Sequence, residues 1–289
     1  MTKDDSAGSL SIIMPAKNEA AAIKAAVSGA RETFPDAEII VVDDGSTDDT
    51  GELAREAGAV VIRHPISMGN GAAIKAGARA ASGEILAFMD ADGQHGGDEI
   101  KQLLARLDAG YDMAIGARDA GSHASFGRLF ANGFYNALAS ALSGHRIPDL
   151  TSGFRVVRAK LFKQFLHLLP NGFSYPTTIT MAFLRSGYPI DFVPIKAERR
   201  VGKSHIRPIR DGLRFLVIIF KVVTLYAPLK IFVPASAGFF VTGLGYYMYT
   251  YLTLGRFTNM SLLLFSASVI VFLIGLISEQ ITALTYSRS

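Results

Sequence analysis

The sequence predicts an α/β domain with a Rossmann-like, mostly parallel sheet, followed by an interfacial amphipathic helix and two transmembrane helices. Before residue 206, short apolar runs alternate with helical segments, which is typical of a doubly wound parallel sheet. Two uncharged apolar stretches of 25 and 22 residues then follow, Ile231–Gly255 and Phe257–Ser278, with only Arg256 between them. Each is long enough for a helix to cross the roughly 30 Å hydrocarbon layer of a bilayer.

Five apolar runs predict the strands of the sheet. They are Ser9–Met14, Glu38–Val42, Val60–Arg63, Ile85–Met89 and Met113–Ile115. The predicted helices between them are Asn18–Ala30 with Asn18 as its cap, a helix to Ala57 capped by Thr47 or Asp48, Gly71–Ala81 and Asp98–Leu107. In such sheets ligands bind beyond the carboxyl ends of the strands, so the polar residues at those ends are the candidate site.

Composition excludes some classes of function. The chain has 289 residues and a formal charge of +4, and its first part lacks interleaved basic and aromatic residues. No nucleic-acid partner is therefore expected. The absence of cysteine excludes disulfide bonds and thiolate metal sites.

The apolar stretches predict three regions: a cytoplasmic domain over 1–206, interfacial amphipathic helices over 207–230 and a two-helix transmembrane hairpin over 231–289. Between Pro208 and Tyr226 the basic side chains share one helical face, which favours a helix lying in the membrane interface. A third helix packed against the first domain is the alternative. Basic residues flank the first span, and the N-terminus lacks the apolar core of a signal peptide. These features predict an inner-membrane protein with its first domain in the cytoplasm.

The segment Asp90-Ala91-Asp92-Gly93-Gln94-His95 follows the fourth strand and predicts a metal site. Two carboxylates this close cannot both be buried unpaired, and an oxygen-preferring cation, Mg²⁺ or Mn²⁺, resolves their repulsion. Such a cation needs only one or two protein carboxylates together with substrate phosphates, and Gln94 offers a further neutral oxygen. A loop turn or a helix cap is the alternative interpretation.

Polar residues also end the first two strands. The carboxylates of Asp43 and Asp44 accept hydrogen bonds only, which suits the ring N–H of a nucleotide base or the hydroxyls of ribose. The segment Pro15-Ala16-Lys17-Asn18-Glu19 would form the opposite wall of the same pocket. Glu19 also suits the first turn of a helix, where the helix dipole favours a negative charge.

Basic and glycine-rich segments give weaker signals. His64–Lys75 lacks the spacing of a phosphate loop, and close packing of a helix on the sheet explains its glycines equally well. Arg118, Arg128 and Asn132 follow the fifth strand, and arginine suits bidentate phosphate contacts. A solvated helix face is the alternative for Arg128.

Two later segments are polar or basic. Pro148–Arg155 is interpreted as a polar insertion between helices. Arg199–His205 is a basic loop that either closes over a diphosphate or serves to orient the chain in the membrane.

Together these segments resemble the family 2 glycosyltransferases with a GT-A fold. The closer resemblance is to the polyprenyl-phosphate glycosyltransferases, the group that includes dolichyl-phosphate mannose synthase. The matching pieces are Pro15–Glu19, Val42–Asp48, Asp90–His95, Gly116–Arg118, Asp149–Arg155 and Arg200–Ser204. The resemblance covers roughly residues 9–206, and the hairpin matches the architecture of the group without a sharp motif.

The resemblance implies a role for each matched residue. The nucleotide sugar would contact Pro15, Ala16, Asn18, Glu19, Asp43, Asp44, Asp90, Ala91, Arg200 and Ser204. The metal ligands would be Asp90, Asp92 and Gln94, and the acceptor phosphate would meet Arg118, Arg128 and Asn132. Catalysis would depend on Asp92, Arg118, Arg128 and Asp149, with Asp149 as an orienting residue.

The predicted function is metal-dependent, inverting transfer of a sugar from GDP-mannose or a UDP-hexose to a polyprenyl phosphate in the membrane. A phosphate monoester is mostly a dianion at pH 7, so this acceptor needs no side-chain base. One alternative is a saccharide or glycolipid hydroxyl as acceptor, with Asp149 as its base. Another is a non-catalytic membrane scaffold that retains the sugar-nucleotide fold. Homo-oligomerisation is left open.

Overall fold

The computed structural model describes residues 8–91, 96–118, 133, 136–141, 143–172, 174–195, 224 and 226–287. The chain divides into two compact units, Met1–Ile206 and Arg207–Ser289. Most of the predicted interfacial segment, 207–230, lies outside the described residues, so the amphipathic helix there stays a prediction.

The first unit contains one mixed sheet. Its strands are β1 (Leu10–Ala16), β2 (Glu38–Asp43), β3 (Val60–Arg63), β4 (Ile85–Phe88), β5 (Met113–Arg118), β6 (Arg155–Arg158) and β7 (Ile190–Ile195). Their order across the described part of the sheet is β3-β2-β1-β4-β6-β5-β7. All pairs are parallel except those of β6, which runs antiparallel to β4 and β5. The predicted mostly parallel sheet is confirmed, and β6 is its antiparallel strand.

Helices connect most of the strands. They are α1 (Ile23–Thr33), α2 (Thr50–Glu56), α3 (Asn70–Ala80), α4 (Gly97–Asp108), α5 (Ala159–Gln164) and α6 (Tyr175–Arg185). The prediction that Asn18 caps α1 is wrong, because Asn18 has a left-handed φ of 56° and the helix begins five residues later. The prediction that Thr47 or Asp48 caps α2 is wrong, because the cap position is Asp49, although the carboxylate of Asp48 accepts the N–H of Thr50 at 3.2 Å.

The interiors of β1, β2 and β4 are mostly apolar because helices cover both faces of the sheet. On one face Ile12 packs in a buried cluster with Ile23 of α1 and Leu103 of α4. On the other face α3 approaches closely, since a Cβ added to Gly77 would lie 2.5 Å from a methyl carbon of Ile13. The sheet is therefore a rigid platform that fixes the positions of the strand ends.

The sequence analysis missed β6 and β7. The segment Pro148–Arg155, interpreted there as an insertion between helices, contains a turn and then enters β6 at Arg155. β6 has only four residues and carries arginine at both ends, so it lacks the apolar run of a central strand. Pro194 lies within β7, an edge strand, where proline is tolerated.

The second unit contains two long helices, α7 (Leu229–Leu254) and α8 (Asn259–Ser287). Both are long and apolar enough to cross a membrane, as the sequence predicts. The hydroxyls of Ser236 and Ser268 each donate to the other residue's carbonyl oxygen at 2.9 Å. Gly275 lets the helices approach closely, since an added Cβ would lie 2.5 Å from Cβ of Phe232. Small residues and reciprocal hydrogen bonds are how helices associate where lipid removes the hydrophobic drive.

Candidate active site

Parallel pairing brings the predicted site residues to one edge of the sheet. Ala16, at the end of β1, lies opposite Asp43, at the end of β2. Asp90 follows β4, which is parallel to β1, and Arg118 is the last residue of β5, which runs in the same direction. Four strand ends therefore meet at the edge where such sheets bind ligands, and three of them carry the charged residues Asp43, Asp90 and Arg118.

Asp44 anchors the loop that follows β3. Its carboxylate accepts hydrogen bonds from the backbone N–H groups of Met68, at 2.8 Å, and Gly69, at 2.9 Å. The hydroxyl of Ser67 donates at 2.7 Å, and Nδ1 of His64 lies 2.8 Å away. Burial alone would raise the pKa of Asp44, but these bonds outweigh it and lower the pKa to about 2. The sequence analysis assigned Asp44 to the nucleotide, and the structure engages both of its oxygens within the protein.

We expect Asp44→Asn to lower the free energy of unfolding by about 2 kcal/mol at pH 7. The folded pKa of about 2 lies below the unfolded value, so the carboxylate stabilises the fold above about pH 4. That contribution disappears as the pH falls through the folded pKa. Thermal denaturation of the full-length protein in detergent, between pH 2 and 8, should show the two proteins converging at low pH. The exposed Asp36→Asn is the control, and a difference independent of pH would contradict the assignment.

Asp43 is also engaged by its surroundings. Its side chain is fully buried, with one oxygen accepting the backbone N–H of Ser46 at 2.8 Å. The other oxygen lies 3.5 Å from Nε of Arg63 and faces Gly51, where an added Cβ would be 3.0 Å away. Asp43 thus shapes the turn after β2, and its predicted nucleotide-binding role stays a prediction.

The turn after β1 is tied to the turn after β2. The backbone N–H of Asn18 donates to the hydroxyl of Ser46 at 3.0 Å, and the side-chain oxygen of Asn18 accepts the N–H of Thr47 at 2.9 Å. The backbone N–H of Glu19 donates to the hydroxyl of Thr50 at 2.9 Å. The Pro15–Glu19 segment and the Asp43–Asp48 segment therefore form one rigid wall, as their matching positions on the sheet require.

Asp90 is the carboxylate at this edge that is best placed to meet a ligand. It is exposed, whereas the neighbouring Ala91 is buried. Its charge acts on Arg118 and on Tyr175, so it lies near both. Among the residues that the structure describes, no three His, Asp or Glu side chains form a metal cluster. An exposed carboxylate at a strand end nevertheless fits Mg²⁺ or Mn²⁺, which needs only one or two protein carboxylates when phosphates supply the other ligands.

Arg118 and Asp149 form a bidentate ion pair at the end of β5. Nε of Arg118 donates to Asp149 at 2.8 Å, and Nη2 donates to the other carboxylate oxygen at 3.3 Å. Nη2 also donates to the hydroxyl of Thr151 at 3.0 Å. Asp149 is 7% exposed, so the pair fixes the guanidinium from its buried side. Within the described residues Nη1 of Arg118 makes none of these three contacts, and the planar guanidinium fixes its direction.

The electrostatics of this pair keep both groups charged. Burial would raise the pKa of Asp149, but the hydrogen bonds and charge of Arg118, with the bonds from Thr151, lower it. The hydrogen bond to Asp149 raises the pKa of Arg118. A carboxylate with a lowered pKa is a poor proton acceptor, so the geometry suits an orienting role for Asp149.

A comparison with known families assigns this architecture. A model of glycosyl transferase family 2 matches residues 11–166, which is more than half of the chain. The chain belongs to this family. A second model, described as the GtrB C-terminal hairpin, matches residues 227–284 of the same glycosyltransferase.

Several curated relatives of this glycosyltransferase have names that refer to a polyprenol, to dolichyl phosphate or to undecaprenyl phosphate. Polyprenol monophosphomannose synthase of Mycolicibacterium smegmatis is 32% identical over 227 residues, covering 73% of this chain and 84% of the relative. Dolichyl-phosphate hexose transferase of Haloferax volcanii is 31% identical over 216 residues, covering 74% and 93%. Undecaprenyl-phosphate 4-deoxy-4-formamido-L-arabinose transferase of Proteus mirabilis is 26% identical, covering 80% and 73%.

Solved structures identify the fold of the glycosyltransferase unit. Glucosyl-3-phosphoglycerate synthase from Mycobacterium tuberculosis, in complex with Mn²⁺, UDP and its product, aligns with a TM-score of 0.59 at 22% identity. The alignment covers 75% of this chain and 78% of that one. The same enzyme with Mg²⁺ and UDP aligns with a TM-score of 0.59 at 23% identity, covering 75% and 77%. The unit has the GT-A fold that the sequence resemblance implied.

Several predicted site residues lie outside the described part of this glycosyltransferase. They are Asp92, Gln94, Arg128, Asn132, Arg200 and Ser204. Their roles stay predictions. The other predicted site residues are described and fall into two groups. The turns after β1 and β2 carry Pro15, Ala16, Asn18, Glu19, Asp43 and Asp44, and the second group is Asp90, Ala91, Arg118 and Asp149.

Sequence reasoning missed the residues that support Asp149. The side-chain oxygen of Asn136 accepts the backbone N–H of Leu150 at 3.0 Å, and its amide nitrogen donates to the carbonyl of Pro148. The hydroxyl and the N–H of Thr151 each donate to Asp149 at 3.0 Å. The one available signal was the polar composition of the Asp149–Arg155 segment. Asn136 gave none, because its partners follow twelve or more residues later.

Proposed function

We propose that this glycosyltransferase transfers a hexose from a nucleotide sugar, GDP-mannose or a UDP-hexose, to a polyprenyl phosphate, with inversion at C1. The observation that carries the proposal is the fusion of a family 2 domain to a two-helix hairpin able to cross a membrane. A catalytic domain with such a hairpin suits one water-soluble and one lipid substrate. The names of the relatives point to the same acceptor class.

The acceptor chemistry agrees with the described side chains. A phosphate monoester has its second pKa near ~6, so at pH 7 it is mostly a dianion and attacks without a general base. Asp149 is already bound to Arg118 and has a lowered pKa, so it suits orientation better than proton abstraction. An enzyme acting on a hydroxyl would instead need a carboxylate poised to accept a proton.

The remaining roles are those that the family resemblance implies. Asp90, with Asp92 and Gln94, would hold Mg²⁺ or Mn²⁺, which when bound neutralises charge on the diphosphate leaving group. Arg118, with Arg128 and Asn132, would bind the acceptor phosphate, and Arg200 and Ser204 would close over the donor. Pro15, Ala16, Asn18 and Glu19, with the turns anchored by Asp43 and Asp44, would form the nucleotide wall. Catalysis then rests on holding two anions in line for attack on C1, which is worth up to ~7–11 kcal/mol in favourable cases.

The site of action is part of the same proposal. The hairpin anchors the enzyme in the inner membrane, and the glycosyltransferase unit faces the cytoplasm, where nucleotide sugars are made. The basic residues that flank the first apolar stretch support this orientation.

A matched pair of acceptors tests the proposal. The purified full-length protein is first screened by thermal shift with Mg²⁺ or Mn²⁺ against a panel of nucleotide sugars. The donor found is then radiolabelled and offered with undecaprenyl phosphate or with undecaprenol, which lacks only the phosphate. We expect label in the lipid fraction with the phosphate and none with the alcohol. Transfer to undecaprenol or to a saccharide would support the hydroxyl alternative, and a protein that binds no donor would support the scaffold.

A further inference from the structure

Arg155 is the largest side chain in the described residues that is completely buried. It is the first residue of β6, where it pairs with Phe88 of β4 and Ile115 of β5. Burying a guanidinium costs several kcal/mol, and an apolar side chain of similar volume would often fill such a position with equal or greater stability. Packing alone therefore does not account for an arginine here.

The guanidinium of Arg155 spans the turn that carries Asp149 and the first turns of α6. Nη2 donates to the carbonyl oxygen of Ser152. Nη1 donates to the carbonyl of Pro176 at 3.3 Å and to the hydroxyl of Thr180 at 3.2 Å. Nε has no hydrogen-bond partner among the described residues. The bonds that exist are thus directed at the two segments on either side rather than at a carboxylate.

Tyr175 adds a second connection between α6 and the same turn. Its ring lies under the guanidinium, with 5.8 Å between the ring centroid and the central carbon of Arg155. Its hydroxyl donates to the carbonyl of Gly153 at 3.4 Å. Arg155 and Tyr175 together hold two successive carbonyls, those of Ser152 and Gly153, a few residues from Asp149.

Both groups stay in the protonation state that these contacts need. Burial lowers the pKa of Arg155 to about 10, while the charge of Asp149 opposes that fall, so the guanidinium remains charged at pH 7. Burial raises the pKa of Tyr175, so its hydroxyl remains a neutral donor. Two cations therefore act on the Asp149 carboxylate: Arg118, which contacts it at 2.8 Å, and Arg155, which interacts with it through its charge.

We infer that Arg155 is a positioning residue for sugar transfer: it holds the 149–153 turn so that Asp149 presents Arg118 to the acceptor phosphate. This role rests on the proposed function for its substrate but on the described contacts for its geometry. Because the residue acts through Asp149 and Arg118, it should affect turnover of the acceptor and leave donor binding alone. A purely structural residue would instead lower the stability of the whole unit, so hydrogen exchange would rise in every strand and not at this turn alone.

Hydrogen exchange of the full-length protein in detergent tests the geometry without relying on activity. In Arg155→Lys we expect faster exchange at the amides of Leu150, which donates to Asn136, and Thr151, which donates to Asp149. We expect no change in β2. Arg158→Lys is the matched control, because Arg158 lies on the same strand and pairs with Asp112 at 3.2 Å, at the opposite end of β5. Thr180→Val is a second variant for the case in which Arg155→Lys folds poorly. It removes one hydrogen-bond acceptor of Nη1 and keeps the cation, and we expect it to speed exchange at the same amides. Unchanged exchange at those amides would overturn the inference.

A double-mutant cycle tests whether Arg155 acts through Asp149. We expect Arg155→Lys to lower kcat about 100-fold, the scale of a misplacement of about 1 Å, with the KM for the nucleotide sugar unchanged. The Asp149→Asn, Arg155→Lys double variant should match Asp149→Asn alone to within about twofold. If the losses in kcat of the two single variants multiply in the double variant, the inference is overturned and the proposed function is unaffected. A wild-type protein without transfer to a polyprenyl phosphate would end the proposed function, and the exchange data would still decide whether Arg155 holds the turn.

Discussion

Asp90→Asn should lower kcat for sugar transfer by about 1,000-fold and should make donor binding independent of Mg²⁺ or Mn²⁺. A bound cation stabilises developing charge by several kcal/mol, and each 1.36 kcal/mol is tenfold in rate. The substitution removes one negative charge while keeping the size of the side chain. Asp90 is exposed at the end of β4, so the fold should be little affected. Asp92→Ala should have an effect at least as large.

The measurement is transfer of radiolabel at saturating donor, together with a thermal shift by the nucleotide sugar with and without Mn²⁺. Chelation of the parent protein should reproduce the loss, and added metal should restore the parent but not the variant. Asp98→Asn is the control, since this exposed carboxylate lies in the first turn of α4 and pairs with the exposed Lys101 at 3.1 Å. Near-normal turnover of Asp90→Asn, with a retained response to metal, would contradict the metal role.

The parts of the fold that were predictable are those that depend on local pattern. The runs that became β1, β2 and β4 are apolar because both faces of these strands are covered. The strand β6 has only four residues and an arginine at each end, so it carries no such pattern. It is part of the sheet because it pairs with β4 on one side and β5 on the other. Its place in the sheet is a tertiary effect that sequence periodicity does not encode.

The site shows the same division between local and distant partners. The strand ends could be predicted, so Asp43, Asp44, Asp90 and Arg118 were all located at the correct edge. Their partners could not, because the carboxylate of Asp44 is satisfied by residues 20 to 25 positions later. A carboxylate that looks available in the sequence can thus be fully used by the fold.

The Asp149–Arg118 pair yields the second large effect. We expect Asp149→Asn to lower kcat about 100-fold or more, because the neutral amide no longer holds the guanidinium by a bidentate, charge-assisted contact. The measurement is transfer to a polyprenyl phosphate at saturating donor. Asp112→Asn is the matched control, since it breaks the ion pair with Arg158 at the other end of β5. A comparable loss of kcat in the control would mean that disturbance of the sheet, and not of the Arg118 contact, lowers the rate.

The pH dependence of Asp149→Asn then separates orientation from base catalysis. With a phosphate acceptor, the rate should rise with pH through the second phosphate pKa near ~6 and then level off. This rising limb of the pH–rate profile reflects ionisation of the substrate phosphate, so the variant should show the same limb with a lower maximal rate. The pKa of Asp149 is held below its ordinary value by Arg118, against the effect of burial, so the carboxylate should be ionised throughout this range. If Asp149 instead removed a proton from a hydroxyl, the limb would belong to its carboxyl group and would vanish with it. Persistence of the limb in the variant therefore supports an orienting carboxylate, and its loss would return the hydroxyl acceptor to first place.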